Sequence, residues 1–220
     1  MGRVVSGDPM LSSPPGVAAL KSIGVRSDET RSIAPDEVWW RIHRIEGPNV
    51  LRWNEFRLFG PVLRFDPHRL PRGDDPNRAI WYGASTPGAA LAEAFQADRT
   101  IDRYRRGPYL TGLLFTRTLS VLDLATDSQG AWITRAGGNF AVSTAPHALT
   151  QQWARAIVVA FPDLDGLRYN SRFTGQPCLA LFTAARSAMP SRPVISLPLA
   201  HPDLTSRLAG AAKRPGYRVV

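Results

Sequence analysis

"AIWYGASTPGAALAEAF", residues 79–95, predicts a strand that runs directly into a helix. Residues 79–83 are mostly apolar and aromatic, which is typical of a buried strand. Thr86 and Pro87 form a helix-start signature, because threonine caps the first turn and proline fits where its missing N–H costs nothing. Glu93 falls off the apolar face of this helix, beside alanines that leave room for a ligand to approach its carboxylate.

Strand-like segments outnumber helix-like ones along the rest of the chain. Strands are predicted at residues 37–45, 61–67, 109–125, 166–171, 177–182 and 192–199. Helices are predicted near 17–23 and across 145–162, the second with an apolar side and a proline at each end. The tail from residue 207 is compatible with either element. Many strands with a few interspersed helices favour an α+β fold.

The length of 220 residues, 44% of them hydrophobic, is sufficient for one domain with its own core. Residues 1–35 are polar and rich in proline and serine, so we expect a partly ordered leader followed by a single domain over 36–220. No run of about 18 apolar residues is present, and the first residues do not resemble a signal peptide. A cytoplasmic protein with no membrane segment is expected.

The net charge of +9 raises the possibility of a nucleic-acid-binding surface. However, only Lys21 and Lys213 are lysines, and the arginines are scattered rather than arranged in a stripe. This composition is typical of a GC-rich genome. A non-enzymatic basic module that binds nucleic acid therefore stays a remote alternative, and a phosphorylated small molecule is a further candidate for the basic residues.

The familiar cofactor and metal motifs are absent from the sequence. It contains no CxxC, HExxH or phosphate-binding glycine loop, and its four histidines lack the spacing of metal ligands. We therefore predict no metal site. His43 shares a strand face with Arg41 and is expected to be a structural histidine. Cys178 lies in an apolar run and is expected to be a buried hydrophobic residue without a disulfide.

Four polar residues lie at the edges of apolar elements: Arg41, Tyr82, Glu93 and Ser171. Each has an ordinary explanation by itself. A strand arginine is usually a salt-bridge partner, a tyrosine is often half buried, a helical glutamate is usually solvated, and a loop serine usually belongs to a turn.

Taken together and in this order, the four residues and their flanking segments resemble the RES domain, a bacterial toxin family named after an arginine, a glutamate and a serine. The family's segments "yR", "gRFd", "vlYlA…s…AlaE" and "GlrYpS" fall on Arg41, 60–66, 82–93 and 166–171. Two departures are visible. Gly60 is separated from Arg64 and Phe65, and Asn170 stands where the family often has proline.

The resemblance implies an ADP-ribosyltransferase-like fold and an enzyme that cleaves the nicotinamide–ribose bond of NAD+. NAD+ is then a substrate rather than a cofactor, and phosphate is a possible co-substrate beside water. Transfer of ADP-ribose to a protein target is the alternative activity. The resemblance also implies a partner, a helix-turn-helix (Xre-type) antitoxin. The acceptor itself leaves no motif in the sequence.

The resemblance also assigns roles to individual residues. Glu93, Arg41 and Ser171 form the expected catalytic set, with Glu93 stabilising the positive charge that develops on ribose as nicotinamide leaves. Arg41, and after it Arg64, are expected to bind the pyrophosphate. Tyr82 is expected to stack on nicotinamide or bond the ribose, and Ser171 to bond a phosphate or the carboxamide. The neighbouring arginines 168 and 172 are expected to lie on the surface.

Overall fold

A computed structural model describes residues 10–220. The strands of this part of the chain are β1 Thr30–Ile33, β2 Trp39–Arg44, β3 Phe59–Gly60, β4 Gly73–Asp74, β5 Trp81–Ala84, β6 Thr100–Ile101, β7 Pro108–Leu113, β8 Leu119–Asp123, β9 Gly166–Asn170, β10 Pro177–Leu181, β11 Ile195–Pro198 and β12 Arg218–Val219. The α-helices are α1 Val17–Ile23, α2 Pro87–Ala94, α3 Trp132–Arg135, α4 His147–Ala160 and α5 Thr205–Lys213. This content confirms the predicted α+β class. None of the helices described is long and apolar enough to cross a membrane.

One large mixed sheet organises the fold, with the strand order β1-β8-β9-β10-β5-β2-β7-β11. Strands β8 and β9 are parallel, and the other neighbours in this sheet are antiparallel. Two short pairs, β3 with β4 and β6 with β12, lie outside it. The sheet brings the segment after β9 and the strand–helix unit β5–α2 next to β2, although these segments are far apart in sequence.

The sheet is split between two of its central strands. Strand β2 pairs with β7 over its whole length, from Trp39 to Arg44. In the described chain β2 pairs with β5 at a single position, where Trp40 lies opposite Ala84. Beyond that position the two strands diverge, so a gap opens between the end of β2 and the start of β5.

Both faces of the sheet are covered by apolar residues, because successive side chains of a strand point to opposite faces. Ala180 and Leu122 belong to the core on the α1 and α4 side, whereas Leu179 and Val121 belong to the core on the other face. The predicted apolar side of α4 is confirmed, with Trp153 fully buried. A third cluster joins α2 to α5 and β6.

The segment assigned to the leader contributes to this architecture from Leu11 onward, since Leu11 is buried in the core and the Ser12 carbonyl accepts the indole N–H of Trp153. Helix α1 has the predicted bounds and buries Leu20. Strand β1 pairs with β8 over four positions. Glu29, which precedes β1, forms an ion pair with Arg135 at 2.6 Å. Residues 1–9 lie outside the described residues.

The predicted strand at residues 61–67 is wrong, since this segment is a loop with turns. The reason is Asp66, whose buried carboxylate accepts hydrogen bonds from the backbone N–H groups of Val62 and Leu63. These local side-chain bonds occupy donors that a sheet ladder would need. In the tail, whose structure the sequence leaves open, α5 is followed by the short strand β12.

Candidate active site

The gap between β2 and β5 forms the mouth of a cleft of about 400 Å³. One wall is the β2 side, with Arg41 and Ile42, and the other is the β5 side, with Ile80 and Tyr82. Helix α2 adds Glu93. The cleft therefore exists because the ladder between β2 and β5 stops after one position.

The structure brings the predicted site residues together. Arg41, Arg64, Tyr82 and Glu93 all line this cleft. Ser171 is 2% exposed and lies behind the lining, near enough to Glu93 for its hydroxyl to lower the pKa of that carboxylate. Four predicted residues from three separate segments thus share one cavity, and the fifth lies beside the carboxylate.

Glu93 is the acidic residue among those that line the cleft, and alanines surround it as predicted. Ala90, Ala94 and Ala97 line the same wall, so no large side chain separates the carboxylate from a ligand. Burial raises the pKa of Glu93 above its usual value. The hydrogen bond from Ser171 and the charges of two arginines act in the opposite direction and lower that pKa. Burial is the largest of these effects, so Glu93 is a more basic carboxylate than one in water.

Ser171 is fixed by its own loop. Its Oγ accepts hydrogen bonds from the N–H groups of Phe173, at 3.2 Å, and Thr174, at 3.3 Å. Its hydroxyl proton is therefore available to the carboxylate of Glu93. The expectation that Ser171 contacts a phosphate or the carboxamide stays a prediction, and the effect of its hydroxyl on Glu93 is to lower the pKa of that carboxylate.

We expect Ser171→Ala to shift the pH profile of any reaction that uses the Glu93 carboxylate. The Ser171 bond lowers the pKa of Glu93, so its loss raises that pKa further. Because the ionised carboxylate is lost as pH falls through its pKa, the acid limb of kcat/KM is expected to move to higher pH. The measurement is kcat/KM against pH for wild type, Ser171→Ala and the exposed control Ser187→Ala. An unchanged acid limb in Ser171→Ala would contradict the assignment.

Arg41 is held by contacts that leave its charge unneutralised. Its guanidinium lies over the Trp81 ring, 5.4 Å from the centroid, and donates to the carbonyl of Glu55 at 3.2 Å. Within residues 10–220 it forms no ion pair. Burial and the nearby Arg57 lower the pKa of Arg41 to about 10, so it stays charged at neutral pH. An unpaired, half-buried guanidinium on a cleft wall is suited to a phosphate group.

The Trp81 ring that supports Arg41 depends on a glycine two residues along the same strand. A β-carbon built on Gly83 would overlap the outer edge of this ring. Trp81 itself is fully buried and donates from its indole N–H to the carbonyl of Trp53 at 2.8 Å. The position of Arg41 therefore requires the absence of a side chain at Gly83.

Arg57 is a cleft residue that the sequence analysis missed. It lines the cavity and lies close enough for its charge to lower the pKa of Arg41. Its guanidinium pairs with Asp66 at 2.7 Å. Arg57 belongs to a loop without a recognisable motif. Its position beside Arg41 in the structure, rather than any local sequence pattern, identifies it as a cleft residue.

Tyr82 presents its ring to the cleft, but its hydroxyl is already bonded. The hydroxyl donates to Asp66 Oδ1 at 2.7 Å and accepts from the N–H of Phe65 at 3.2 Å. Burial raises the pKa of Tyr82 well above its usual value. Of the two predicted roles, stacking on a flat ring fits this arrangement, while a bond from the hydroxyl to ribose would require breaking the contact with Asp66.

Arg64 lies at the Glu93 end of the cleft rather than beside Arg41. It is 9% exposed and donates to the carbonyl of Ala145. Burial, and after it the charge of Arg172, lower the pKa of Arg64. The cleft thus has two basic ends, one with Arg41 and the other with Arg64 beside the carboxylate.

The two arginines that flank Ser171 differ in environment. Arg168 is not a surface residue, since its side chain is 11% exposed and pairs with Asp123 and Asp127. A strand arginine between two carboxylates is structural. Arg172 is exposed, as predicted, yet it lines the rim of the cleft and donates to Gln96 at 2.9 Å.

His43 and Cys178 have the structural roles that were predicted. The imidazole of His43 lies 3.3 Å from the Thr111 hydroxyl, and burial together with Arg41 lowers its pKa to about 4. Cys178 is buried and unpaired, and burial raises the pKa of its thiol well above the usual value. Among the residues described, no cluster of histidine, cysteine or acidic side chains could hold a metal ion.

The model of the RES domain matches residues 38–205, which include every cleft residue named above. The chain belongs to the RES domain family. A solved structure of the M. tuberculosis MbcT-MbcA toxin–antitoxin complex contains a chain with which this RES protein shares 16% identity, at a TM-score of 0.53. The match covers 88% of this chain and 96% of that one. No curated protein matches.

At this level of identity the similarity concerns the fold, and the RES domain match is what assigns the family. The matched range begins one residue before β2 and ends at the start of α5. The segment with α1 and β1, which completes the edge of the sheet, precedes it.

Proposed function

We propose that this protein is the toxin of a toxin–antitoxin pair and cleaves the nicotinamide–ribose bond of NAD+ in the bacterial cytoplasm. The observation that carries the proposal is the position of Glu93, a half-buried carboxylate in a cleft whose walls carry unpaired guanidinium groups. Membership of the RES domain family and the fold shared with a chain of the MbcT-MbcA complex support it.

The charge of the cleft suits an anionic ligand. Four of its arginines, Arg41, Arg44, Arg64 and Arg172, form no ion pair within the part of the chain that the structure describes. The fifth, Arg57, is paired with Asp66. The pyrophosphate of a dinucleotide provides the negative charge that such guanidinium groups bind.

The single carboxylate suits the bond that breaks. When nicotinamide leaves with the electron pair of the C1′–N bond, positive charge develops on the ribose ring at C1′ and its oxygen. The Glu93 carboxylate, in a water-poor wall of small residues, stabilises that charge more strongly than it would in bulk water. The same carboxylate can accept a hydrogen bond from a ribose hydroxyl and so fix the sugar.

The apolar part of the cleft suits a flat ring. Trp40, Ile80 and the ring of Tyr82 line it between the basic ends. Aromatic and branched apolar side chains bind aromatic bases by stacking and by excluding water. We place nicotinamide against Tyr82, near Glu93, and the pyrophosphate toward Arg41.

Purified protein incubated with NAD+ tests the proposal. We expect release of nicotinamide, measured by chromatography, with ADP-ribose formed in water and a phosphorylated ADP-ribose formed where phosphate is the acceptor. NAD+ labelled in its adenylate part identifies a third outcome, because label on a protein band means transfer to a side chain. Absence of nicotinamide both with and without phosphate would contradict the proposal.

A partner protein is part of the proposed function. Free NAD+ cleavage would deplete the cell in which the protein is made, so an inhibitor encoded with it is required. The structural neighbour is a chain of a toxin–antitoxin complex, which supports an antitoxin as that inhibitor.

A further inference from the structure

Asp66 is the most completely bonded carboxylate near the cleft, although it does not line the cavity. It is fully buried, and both of its oxygens lie 2.7 Å from Nη2 of Arg57. Oδ1 also accepts the Tyr82 hydroxyl at 2.7 Å, and Oδ2 accepts the N–H of Val62 and, at 2.9 Å, that of Leu63. Four donor groups therefore converge on this carboxylate, while His68 Nδ1 lies 4.0 Å from Oδ2 without a hydrogen bond to it.

The groups that Asp66 holds are cleft walls. Arg57, Tyr82 and Leu63 line the cavity, and so does Arg64, the residue after Leu63. These residues come from a loop, a strand and a second loop, and Asp66 is the group that three of them share. Asp66 does not line the cavity itself, but it fixes the relative positions of Arg57, Tyr82 and Leu63, which do.

Arg57 gains a specific place from this contact. It lies beside Arg41, and two guanidinium groups of like charge repel each other in a partly buried wall. The negative charge of Asp66 compensates one of them, so both can face the cleft together. Within the described residues Nη2 of Arg57 donates to Asp66 and Nη1 to the carbonyl of Phe59, so its positive charge and its Nε–H remain for a phosphate beside Arg41.

We propose that Asp66 is a positioning residue that fixes Arg57 beside Arg41 as the second arm of a pyrophosphate clamp, while it holds the Tyr82 ring in place for the nicotinamide end. This inference rests on the proposed function. It assigns the second arm to Arg57 instead of Arg64, because Arg64 lies at the Glu93 end.

The substitution Asp66→Asn removes the charge of the carboxylate while it nearly keeps the shape of the side chain. The asparagine amide is nearly the size of the carboxylate, but it is neutral and its NH2 group faces donors where an acceptor is needed. Arg57 loses its ion pair and Tyr82 loses an acceptor. We expect the KM for NAD+ to rise at least 10-fold, and kcat to fall by a smaller factor because Glu93 is untouched.

Asp165→Asn is the matched control. Asp165 is 4% exposed. It accepts hydrogen bonds from both terminal nitrogens of Arg117, at 2.9 and 2.7 Å, and from the backbone N–H of Ser120. It does not line the cleft. The control therefore makes the same chemical change to another buried carboxylate with an arginine partner. At a temperature where both variants are folded, the KM and kcat of Asp165→Asn are expected to stay within twofold of wild type.

Arg57→Gln completes the test. It is expected to raise the KM for NAD+ about 10-fold, and the double variant with Asp66→Asn is expected to have a KM no more than twofold above the worse single variant, because both changes remove the same arm. If Asp66→Asn does not fold, the KM of Arg57→Gln decides instead.

The outcomes separate this inference from the proposed function. Wild-type protein that releases no nicotinamide defeats the proposed function. If wild-type protein is active, and folded Asp66→Asn or Arg57→Gln has a KM within twofold of wild type, only the positioning role is overturned. Multiplicative effects of the two changes on KM overturn it as well, because independent effects mean that Asp66 does not act through Arg57.

Discussion

Replacing Glu93 by glutamine is expected to reduce the rate of nicotinamide release about 10³-fold, the upper range for loss of one preorganised electrostatic group. Glutamine keeps the size and the hydrogen-bonding oxygen of glutamate but carries no charge to stabilise the ribose cation. The loss is expected mainly in kcat, since the arginines that bind the phosphates are unchanged. Single-turnover release of nicotinamide from saturating NAD+ is the measurement.

The same substitution is expected to keep or raise thermal stability. Burial raises the pKa of Glu93 in the folded protein, so folding disfavours its ionised form, and this destabilisation is present at pH values above the folded pKa. It disappears as pH falls below the unfolded value. Glu93→Gln removes it, so the Tm at pH 7 is expected to equal or exceed that of wild type. The exposed control Glu46→Gln is expected to change neither property, and full activity in Glu93→Gln would remove the carboxylate from the mechanism.

Replacing Arg41 by alanine is expected to raise the KM for NAD+ about 100-fold. A charge-assisted contact of a guanidinium with a phosphate contributes about 1.5–3 kcal/mol, which corresponds to about 10- to 150-fold in affinity. Arg41 is placed near the upper part of that range because it is half-buried, stacked on Trp81 and free of an ion pair in the described chain. Initial rates over a range of NAD+ concentrations give KM and kcat separately.

The control for Arg41→Ala is Arg186→Ala. Arg186 also lies over an aromatic ring, 5.7 Å from the centroid of Phe56, but it does not line the cleft. Its loss removes a comparable stacked arginine, so KM is expected to stay unchanged. If Arg41→Ala alters neither KM nor kcat, Arg41 belongs to the scaffold and the phosphates bind elsewhere.

The fold was predictable where short-range signals decide it. Thr86 caps α2 by accepting the N–H of Ala89, and the preceding apolar run forms β5, both as residues 79–95 indicate. The loop at 61–67 was not predictable in this way. Its apolar residues fit a strand, but the buried carboxylate of Asp66 overrides that preference by accepting the backbone N–H groups of Val62 and Leu63. That carboxylate is held in place by Arg57 and Tyr82, which lie 9 and 16 residues away in sequence.

The same division applies to the candidate site. Arg41, Tyr82 and Glu93 could be proposed from sequence because each belongs to a segment with a recognisable family pattern. Arg57 could not, since its place in the cleft follows from the divergence of β2 and β5, which no local pattern records. That the Tyr82 hydroxyl is already bonded likewise depends on Asp66, 16 residues away in sequence.

The glycine beneath Trp81 has a consequence for the genetics of the proposed toxin. Gly83 bears no functional group, yet any side chain there displaces the ring on which Arg41 rests. If cells that survive overproduction of this protein are collected and sequenced, replacements of Gly83 should recur among the escape alleles together with losses of Glu93. The Gly83 alleles would encode full-length protein that keeps Glu93 and has lost the proposed activity.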